Sequence, residues 1–302
     1  MRILLQFPEG LKQRALSHAK RLEAEGNEVV ISASPCFGAC DLAIDEARRV
    51  GADRIVHFGH AEYARADFDV EYVEYEIDAP LDVLPLSLGA LEGFSSICLL
   101  TTIQHVHQLG EVRKFYEGHG KQVVLNEPTG LTRRPGQVLG CDAGNAAALD
   151  GKVDAFVYFG GGDFHPFGAL LKTTKPFLIV DPFMRRVVQI GHVRDEQLRR
   201  RKGRIVAALD ARSFGILVST KSGQYRMELA RSLKRGIEDA GMAAAVLVSN
   251  TFDFDSLGNM AEFDAFVNTA CPRLASDDSG RTRKPLLSAD ELSEVLELKK
   301  DR

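Results

Sequence analysis

The sequence lacks the features that mark secreted, membrane and nucleic-acid-binding proteins. No apolar run approaches the roughly 18 residues that a membrane-spanning helix needs. The net charge is −4, and the basic stretch 194–204 is interpreted as the solvated face of a helix, so we expect no membrane contact and no direct nucleic-acid binding. The opening residues MRILLQF lead directly into charged sequence, which indicates a first buried strand and no signal peptide.

Cysteine is scarce, and its pattern excludes a disulfide framework. The five cysteines form an odd set whose spacings are unlike those of small secreted domains. We therefore expect the reducing environment of the cytoplasm, where thiols that are not simply buried tend to be catalytic or metal-binding. Cys98 lies inside an apolar strand pattern and is interpreted as a small core residue.

Apolar, β-branched runs alternate with helical patterns almost throughout the 302 residues. This alternation predicts an α/β fold in which helices cover parallel sheets. The pattern occurs three times and predicts three small domains, 1–93, 94–203 and 204–302, the last with a C-terminal helix capped by Ser288. The predicted strands are 2–7, 28–33, 54–59, 95–102, 122–126, 155–160, 213–220, 243–249 and 264–270. The predicted helices are 11–26, 41–51, 103–119, one from about 142, and 225–241.

The three sets are also related in sequence. Residues 38–60, GACDLAIDEARRVGADRIVHFGH, match residues 139–161, LGCDAGNAAALDGKVDAFVYFGG. Cys40 precedes Asp53 by 13 positions, and Cys141 precedes Asp154 by the same interval. Aligning Asp264 with these aspartates places Cys271 where the first two sets have His60 and Gly161. A threefold repeat predicts pseudo-threefold symmetry, with equivalent loops facing one centre.

Three cysteines fall in loops at the carboxyl ends of strands, one in each set: Cys40, Cys141 and Cys271. Ligands of open α/β sheets bind at these ends. Three thiolates form a soft-ligand site suited to zinc or to an iron–sulfur cluster, and they leave one metal position open. The place of Cys36 is taken by Gln137 in the second set, so the repeat gives Cys36 no counterpart, although a role as a ligand stays open.

Four motifs resemble the diphthamide synthesis enzymes, and the resemblance runs nearly from end to end. They are CFGACDLAIDEARRVGADRIVHFGHAEY, FGGGDFHPFG, STKSGQ and NTACPRLASDD. The resemblance implies an atypical radical S-adenosylmethionine (SAM) enzyme in which Cys40, Cys141 and Cys271 hold a central 4Fe–4S cluster. Ala43 stands where the C-x-x-x-C-x-x-C loop of ordinary radical-SAM enzymes has its third cysteine.

The resemblance also implies a reaction and its partners. SAM would bind the open iron, and reduction of the cluster by an electron donor would break the bond to the methionine γ-carbon. The resulting 3-amino-3-carboxypropyl group would be transferred to a histidine of translation elongation factor 2, with methylthioadenosine released. Archaeal members of the family act as homodimers, so we expect a cytoplasmic, homodimeric transferase.

Residues around the expected cluster are candidates for SAM binding. Glycines after a strand let the backbone approach a ligand, and N–H groups at the start of a helix favour an anion such as the SAM carboxylate. An arginine near the third cysteine is a candidate carboxylate clamp. The candidates are Gln104, His105, His107, Gly160, Gly161, Gly162, His165, Ser219, Lys221, Ser222, Gly223, Gln224 and Arg273.

Three alternatives use the same three-domain plan. An enzyme similar to quinolinate synthase would use the open iron as a Lewis acid in a dehydration. A non-enzymatic module would hold zinc for stability or a cluster for electron transfer. A metal-free scaffold would bind a nucleotide or a sugar, and would keep its function without the three cysteines.

Overall fold

The structure is a computed structural model that describes residues 1–277 and 279–300. The chain forms two compact units, Met1–His192 and Val193–Arg302. The first unit contains two sheets and the second contains one. Within the described part of the chain, no helix combines the length and the apolar character needed to cross a membrane.

The first sheet of the first unit is parallel and covered on both faces. Ile3 and Leu5 belong to a core that includes α1, whereas Leu4 lies on the other face with α2, as the alternation of side chains along a strand requires. The strand order is β2-β1-β3-β4. The elements are β1 (Arg2–Gln6), α1 (Ala15–Ala24), β2 (Glu28–Ile31), α2 (Ile44–Val50), β3 (Arg54–Phe58) and β4 (Val70–Val73).

The second sheet repeats this order and adds one strand. Its order is β6-β5-β7-β8-β9, and only the β8–β9 pairing is antiparallel. The three central strands are almost fully buried, as expected for a parallel sheet between helices. The elements are β5 (Ser96–Thr101), α3 (Leu109–Gly118), β6 (Gln122–Leu125), α4 (Gly144–Ala147), β7 (Ala155–Phe159), α5 (Phe164–Leu170), β8 (Phe177–Asp181) and β9 (Arg186–Gln189).

The second unit holds the third parallel sheet, in the order β11-β10-β12-β13. Its strands are β10 (Ser213–Ser219), β11 (Ala243–Ser249), β12 (Ala265–Asn268) and β13 (Leu286–Ser288). Its helices are α6 (Gly191–Ala208), which begins at the end of the first unit, α7 (Met227–Asp239), α8 (Phe254–Gly258), α9 (Arg273–Asp277) and α10 (Ala289–Lys300). The α/β class with three related, mainly parallel sheets is thus confirmed, while the domain boundaries at 93 and 203 stay a prediction.

The aspartates that align in the repeat have the same structural task in all three sheets. Each carboxylate accepts hydrogen bonds from backbone N–H groups where the first strand of its set begins. Asp53 accepts from Arg2, Asp154 from Ser95 and Ser96, and Asp264 from Arg212 and Ser213. The repeated aspartate therefore joins the start of the third strand to the start of the first.

Three predicted helices differ from expectation. The helix expected from about residue 142 is a single turn, Gly144–Ala147. The helices expected over 11–26 and 103–119 begin as 3₁₀ helices, Glu9–Arg14 and Ile103–Gln108. The fourth strand of each sheet and the antiparallel β9 were not predicted. β4, β9 and β13 have only three or four residues each, and β8 is a buried run of five, FLIVD.

The C-terminal helix packs on its own chain. The Ser288 hydroxyl accepts from the N–H of Glu291, and the Glu291 carboxylate accepts from the N–H of Ser288, which forms a capping box and confirms the predicted cap. Leu292 and Val295 lie in the core of the unit. Arg204 of α6, 13 % exposed, pairs with the buried Glu291, so the basic stretch is only partly a solvated face.

Asp264→Ala should lower stability by about 1 kcal/mol, at the low end for hydrogen bonds to a charged group because Asp264 is exposed. The bonds from the Arg212 and Ser213 N–H groups and the Ser213 hydroxyl lower the pKa of Asp264 in the folded state. A lowered folded pKa means that this stability is present above the unfolded pKa of about 3.9 and is lost as pH falls through the folded pKa.

Thermal unfolding of both proteins at neutral pH and below about pH 3 measures the difference. Asp239→Ala, which removes an exposed carboxylate from the end of α7, is the matched control and should stay within about 0.5 kcal/mol of the wild type. A wild-type advantage for Asp264 that persists undiminished in acid would contradict the role of the charge.

Candidate functional site

Cys40 lies in the loop of residues 32–43, here called the Cys40 loop, between β2 and α2 at the carboxyl end of the first sheet. The N–H of Asp41 donates to the carbonyl of Gly38 at 2.9 Å and closes a tight turn around the thiol. Gly38 has a φ of 149°, and a Cβ placed on it would lie 3.8 Å from both Cys40 Sγ and His60 Nε2. The half-buried thiol and the His60 ring therefore lie beside the same glycine.

A chain of hydrogen-bonded polar side chains, Gln6, His57 and His60, packs against the Cys40 loop. The Gln6 amide donates from Nε2 to the carbonyl of Asp41 at 2.6 Å, and its Oε1 accepts from the N–H of Ala43 at 3.2 Å. The same Oε1 lies 2.9 Å from His57 Nδ1, which must therefore carry a hydrogen. His57 Nε2 lies 3.0 Å from His60 Nδ1 and, in the neutral ring, accepts the His60 hydrogen.

Both rings of this pair are neutral at physiological pH. Burial lowers the pKa of His57 to about 3, with the charge of His60 adding to the effect, and burial lowers the pKa of His60 to about 4. Burial disfavours the charged imidazolium because it removes the ring from water. Each ring therefore keeps one nitrogen with a lone pair.

The five cysteines fall into two groups, and none forms a disulfide. Cys36 and Cys98 are buried, and burial raises the pKa of each thiol to about 12. Cys40, Cys141 and Cys271 are half-buried. The interpretation of Cys98 as a core residue is consistent with its place in β5, where its side chain is fully buried.

The loop of residues 126–143, here called the Cys141 loop, is held by its own polar groups. The Asp142 carboxylate accepts from the Thr129 hydroxyl and from the N–H of Gly144. In the Cys40 loop, the Asp41 carboxylate likewise accepts from the N–H of Phe37. The aspartate that follows each of these cysteines thus shapes its loop.

Helix α5 touches the backbone of the Cys141 loop at a position where only glycine fits. A Cβ on Gly168 would collide with the carbonyl group of Gly140, the residue before Cys141. This close approach explains the last glycine of the motif FGGGDFHPFG, because any side chain at this position would collide with the backbone next to Cys141.

The Cys40 loop and the Cys141 loop share neighbours within the first unit. The segment 60–63 follows β3, and its first residue, His60, lies beside Cys40. Its last residue, Tyr63, places its hydroxyl 4.0 Å from Cys141 Sγ, and the carbonyl of Glu62 accepts from Arg133 Nε at 2.9 Å. One short segment therefore contacts the surroundings of both thiols.

The glycines 160–162 lie where β7 ends, as predicted. Gly160 and Gly162 have positive φ values of 151° and 75°. Gly160 lies against the hydroxyl of the buried Tyr158, and Gly161 lies under the half-exposed ring of Phe183. His165 is in the first turn of α5, beside the ring of Phe164.

A 3₁₀ helix, Ile103–Gln108, contains Gln104, His105 and His107. It contacts the segments that follow β3 and β4 of the first sheet. Gln104 Nε2 donates to the carbonyl of Gly59, and His105 Nδ1 bonds to the carbonyl of Ile77 at 2.9 Å. His107 Nε2 lies 3.0 Å from a carboxylate oxygen of Asp78. Burial lowers the pKa of His105. These side chains join the two sheets of the first unit.

In the second unit, Cys271 follows the end of β12, as the repeat predicts. The Asn268 side chain donates to the carbonyl of Cys271 at 2.8 Å and accepts from the N–H of Ala270 at 3.0 Å. The carbonyl of Cys271 also accepts from the N–H of Leu274. Asp278, at the end of the motif NTACPRLASDD, lies outside the described residues.

The other candidates of the second unit follow β10, the neighbour of β12. Ser219 Oγ accepts from the N–H of Lys221 at 3.2 Å, and Lys221 Nζ donates to Asn250 Oδ1 at 3.1 Å. Lys221, Gln224 and Arg273 are each 8 % exposed. Ser222 is exposed and Gly223 half-buried. Two buried cations thus lie at adjacent strand ends.

Sequence reasoning missed several residues that shape these loops. A polar residue in the apolar run RILLQF was a usable signal for a buried hydrogen-bonding role. Glycine at the end of FGGGDFHPFG was a second one. The missed residues are Gln6, Tyr63, Gly168 and Asn268.

Comparison with known proteins identifies the family. The family model described as "Putative diphthamide synthesis protein" matches residues 7–302. The chain belongs to this diphthamide synthesis family. It is 34 % identical to 2-(3-amino-3-carboxypropyl)histidine synthase of Pyrococcus horikoshii, over 99 % of this chain and 87 % of that protein. It is 28 % identical to subunit 1 of the human enzyme of the same name, over 98 % of this chain and 68 % of that protein.

A solved structure of a family member agrees in fold. The crystal structure of Dph2 from Pyrococcus horikoshii with a 4Fe–4S cluster matches with a TM-score of 0.89 and 32 % identity. The match covers 100 % of this chain and 87 % of that chain. The resemblance inferred from the motifs is confirmed.

The cysteines of this family member fit an iron–sulfur cluster. Cluster ligands are thiolates, which need access and deprotonation, and burial in apolar surroundings opposes both. Three half-buried thiols, each in a loop at the carboxyl end of a mainly parallel sheet, meet this requirement, whereas Cys36 and Cys98 are buried thiols with a pKa raised to about 12. That Cys40, Cys141 and Cys271 hold the cluster stays a prediction of the repeat and the motifs.

Gly168→Ala should displace the Cys141 loop, because the new methyl group meets rigid backbone at Gly140. The expected cost is about 2 kcal/mol of stability, typical of overpacking. In metal-free protein, alkylation of Cys141 followed by mass spectrometry should be faster than in the wild type, while the rate at Cys40 stays unchanged.

Gly110→Ala is the matched control, since Gly110 lies in α3 with no atom within 4 Å of the added Cβ. It should leave both alkylation rates unaltered. Equal rates at Cys141 in the Gly168→Ala variant and the wild type would show that the loop does not depend on this contact.

Proposed function

We propose that this protein transfers the 3-amino-3-carboxypropyl group of SAM to a histidine side chain of a protein substrate. The observation that carries the proposal is its similarity to a 2-(3-amino-3-carboxypropyl)histidine synthase over 99 % of this chain and 87 % of that protein. The three half-buried thiols support the proposal, because the similar Dph2 of Pyrococcus horikoshii has been solved with a 4Fe–4S cluster, for which thiolates are the usual ligands.

The residues that would hold the cluster are Cys40, Cys141 and Cys271. Three ligands would leave one iron open, where a bound and reduced cluster would supply the electron that breaks the bond between the SAM sulfur and the methionine γ-carbon, with methylthioadenosine as the second product. The protein's task is to orient SAM so that this bond is the one broken.

Three groups of residues are proposed to bind and enclose SAM. Gly160, Gly161 and Gly162 let a ligand approach the backbone, and the half-exposed Phe183 ring lies over Gly161. Lys221 and Arg273 are buried cations at adjacent strand ends, suited to a carboxylate. The remaining candidates are Gln104, His105, His107, His165, Ser219, Ser222, Gly223 and Gln224.

Two residues beside the thiols are proposed to position and tune the cluster. Tyr63 lies 4.0 Å from Cys141 Sγ, and His60 lies beside Cys40 with a neutral ring. A hydroxyl or N–H near a sulfur stabilises its negative charge and tunes a bound cluster.

The proposal extends to partners and setting. The protein substrate is translation elongation factor 2, the active form is a cytoplasmic homodimer, and a separate protein donates electrons. The three domains, 1–93, 94–203 and 204–302, each supply one thiol to the centre of a pseudo-threefold arrangement. These extensions rest on the motifs and the threefold repeat.

Anaerobic incubation with SAM, reductant and archaeal elongation factor 2 tests the activity. We expect methylthioadenosine and a mass gain of one 3-amino-3-carboxypropyl group on a single histidine, both dependent on the reductant. A dehydration product without SAM turnover would instead favour a chemistry like that of quinolinate synthase. A colourless protein that contains zinc and no iron would favour the non-enzymatic module.

Iron content separates the two cysteines of the Cys40 loop. Cys40→Ala should abolish the intact cluster because it removes a proposed ligand, whereas Cys36→Ala should leave the cluster largely formed. Cys98→Ala is the matched control, since it removes another buried thiol whose pKa is raised to about 12. Iron and sulfide analysis after anaerobic purification gives the measurement, and equal iron loss in the Cys36→Ala and Cys40→Ala variants would overturn the assignment.

A further inference from the structure

Cys36, His57 and His60 form a cluster of metal-ligating side chains, of which the proposed function uses only His60, beside Cys40. One donor atom from each residue lies within 4.8 Å of the other two. Cys36 and His57 are buried, and His60 is half-buried. The threefold repeat gives Cys36 no counterpart, so this group is a feature of the first sheet only.

We propose that Cys36, His57 and His60 bind a single borderline divalent cation of the zinc class, at a site separate from the iron–sulfur cluster. Two imidazoles and one thiolate are a donor set that suits zinc, and these three protein ligands leave a fourth position for water. Zinc–ligand bonds of about 2.0–2.3 Å require the donor atoms of a tetrahedral site to lie roughly 3.3–3.8 Å apart. The three donor atoms lie within 4.8 Å of one another, so side-chain movements of about 1 Å would bring them to this separation.

The hydrogen bonds of His57 match those of a metal ligand. A ligating histidine usually donates its second ring N–H to an oxygen, which fixes the orientation of the ring. Here Nδ1 of His57 donates to Gln6 Oε1 at 2.9 Å, and Gln6 is itself held by the backbone of Asp41 and Ala43. Nε2 of His57 is thereby presented to the cation with its lone pair.

The contact between the two histidines is the one that a cation would replace. His57 Nε2 and His60 Nδ1 lie 3.0 Å apart, close to the separation of two nitrogens on one zinc ion. On binding, the His60 proton moves from Nδ1 to Nε2, and the Cys36 thiol releases its proton to solvent. The positive charge of the cation stabilises a thiolate that burial alone disfavours.

The bound cation would join the Cys40 loop to the end of β3. Cys36 lies four residues before Cys40, whereas His57 belongs to β3 and His60 follows it. The Cys40 loop, which has no regular structure, would then be fixed by metal–ligand bonds close to Cys40, the proposed cluster ligand. The cation's proposed task is to hold this loop in place.

Metal analysis of the full-length protein, purified anaerobically, is the first test. We expect about one zinc per chain in addition to iron. Cys36→Ala should remove the zinc and leave the iron, and Cys98→Ala should change neither. Zinc that persists in Cys36→Ala overturns the proposal, and iron that is lost together with zinc shows instead that Cys36 serves the cluster.

Titration with Co²⁺ is the second test, performed on a variant in which Cys40, Cys141 and Cys271 are alanine. We expect one equivalent bound, with thiolate-to-cobalt charge-transfer absorption and the intense visible bands of a tetrahedral site. Adding Cys36→Ala should abolish the charge-transfer band. Adding His57→Gln should weaken binding by more than about 100-fold, since even an outer partner of a ligand is worth 10–100-fold.

Two controls separate loss of the metal site from loss of a different thiol and from unfolding. Adding Cys98→Ala should leave the cobalt spectrum unchanged, and circular dichroism should show that every variant is folded. Absence of stoichiometric binding by the folded parent variant would mean that the three residues form a hydrogen-bonded group only. Because zinc and iron are measured separately, failure of this proposal leaves the proposed transferase intact.

Discussion

Parallel pairing with a shared strand order decides where the functional loops of this protein can lie. In each sheet the first strand is central, the second and third flank it, and the fourth follows the third. Parallel strands end at one edge, so every loop that carries a half-buried cysteine leaves its sheet at that edge. The repeated aspartates hold the opposite edge, where Asp53, Asp154 and Asp264 bind the backbone at the start of the first strand.

The loops at the functional edge have little regular structure, so their shape depends on a few side chains. Gln6 reaches from β1 to two backbone groups of the Cys40 loop, and Asn268, the last residue of β12, does the same for the backbone of Ala270 and Cys271. The Cys141 loop is positioned by the contact of Gly168 with Gly140. Buried amides and a close backbone contact replace the packing that helices and strands give elsewhere.

The fold was largely predictable because its strands are continuous apolar runs and its repeat keeps a constant interval. Cys40, Cys141 and Cys271 could be selected for the same reason. The supporting contacts could not, since Gly168 with Gly140, and Gln6 with His57, join residues 28 and 51 positions apart. Nothing local marks such pairs. The helix expected near residue 142 is a single turn, Gly144–Ala147, in which Asn145 and Ala146 are buried.

Cys36 and Cys40 show how one loop can hold two thiols of different chemistry. Four residues apart, they differ in burial, and only the buried one adjoins two neutral imidazoles. A half-buried thiol can meet ligands contributed from elsewhere in the chain, whereas a buried thiol can use only donors already beside it. The C-x-x-x-C spacing therefore does not describe one site. Its first cysteine faces inward to β3, and its second lies in a loop at the carboxyl end of the first sheet.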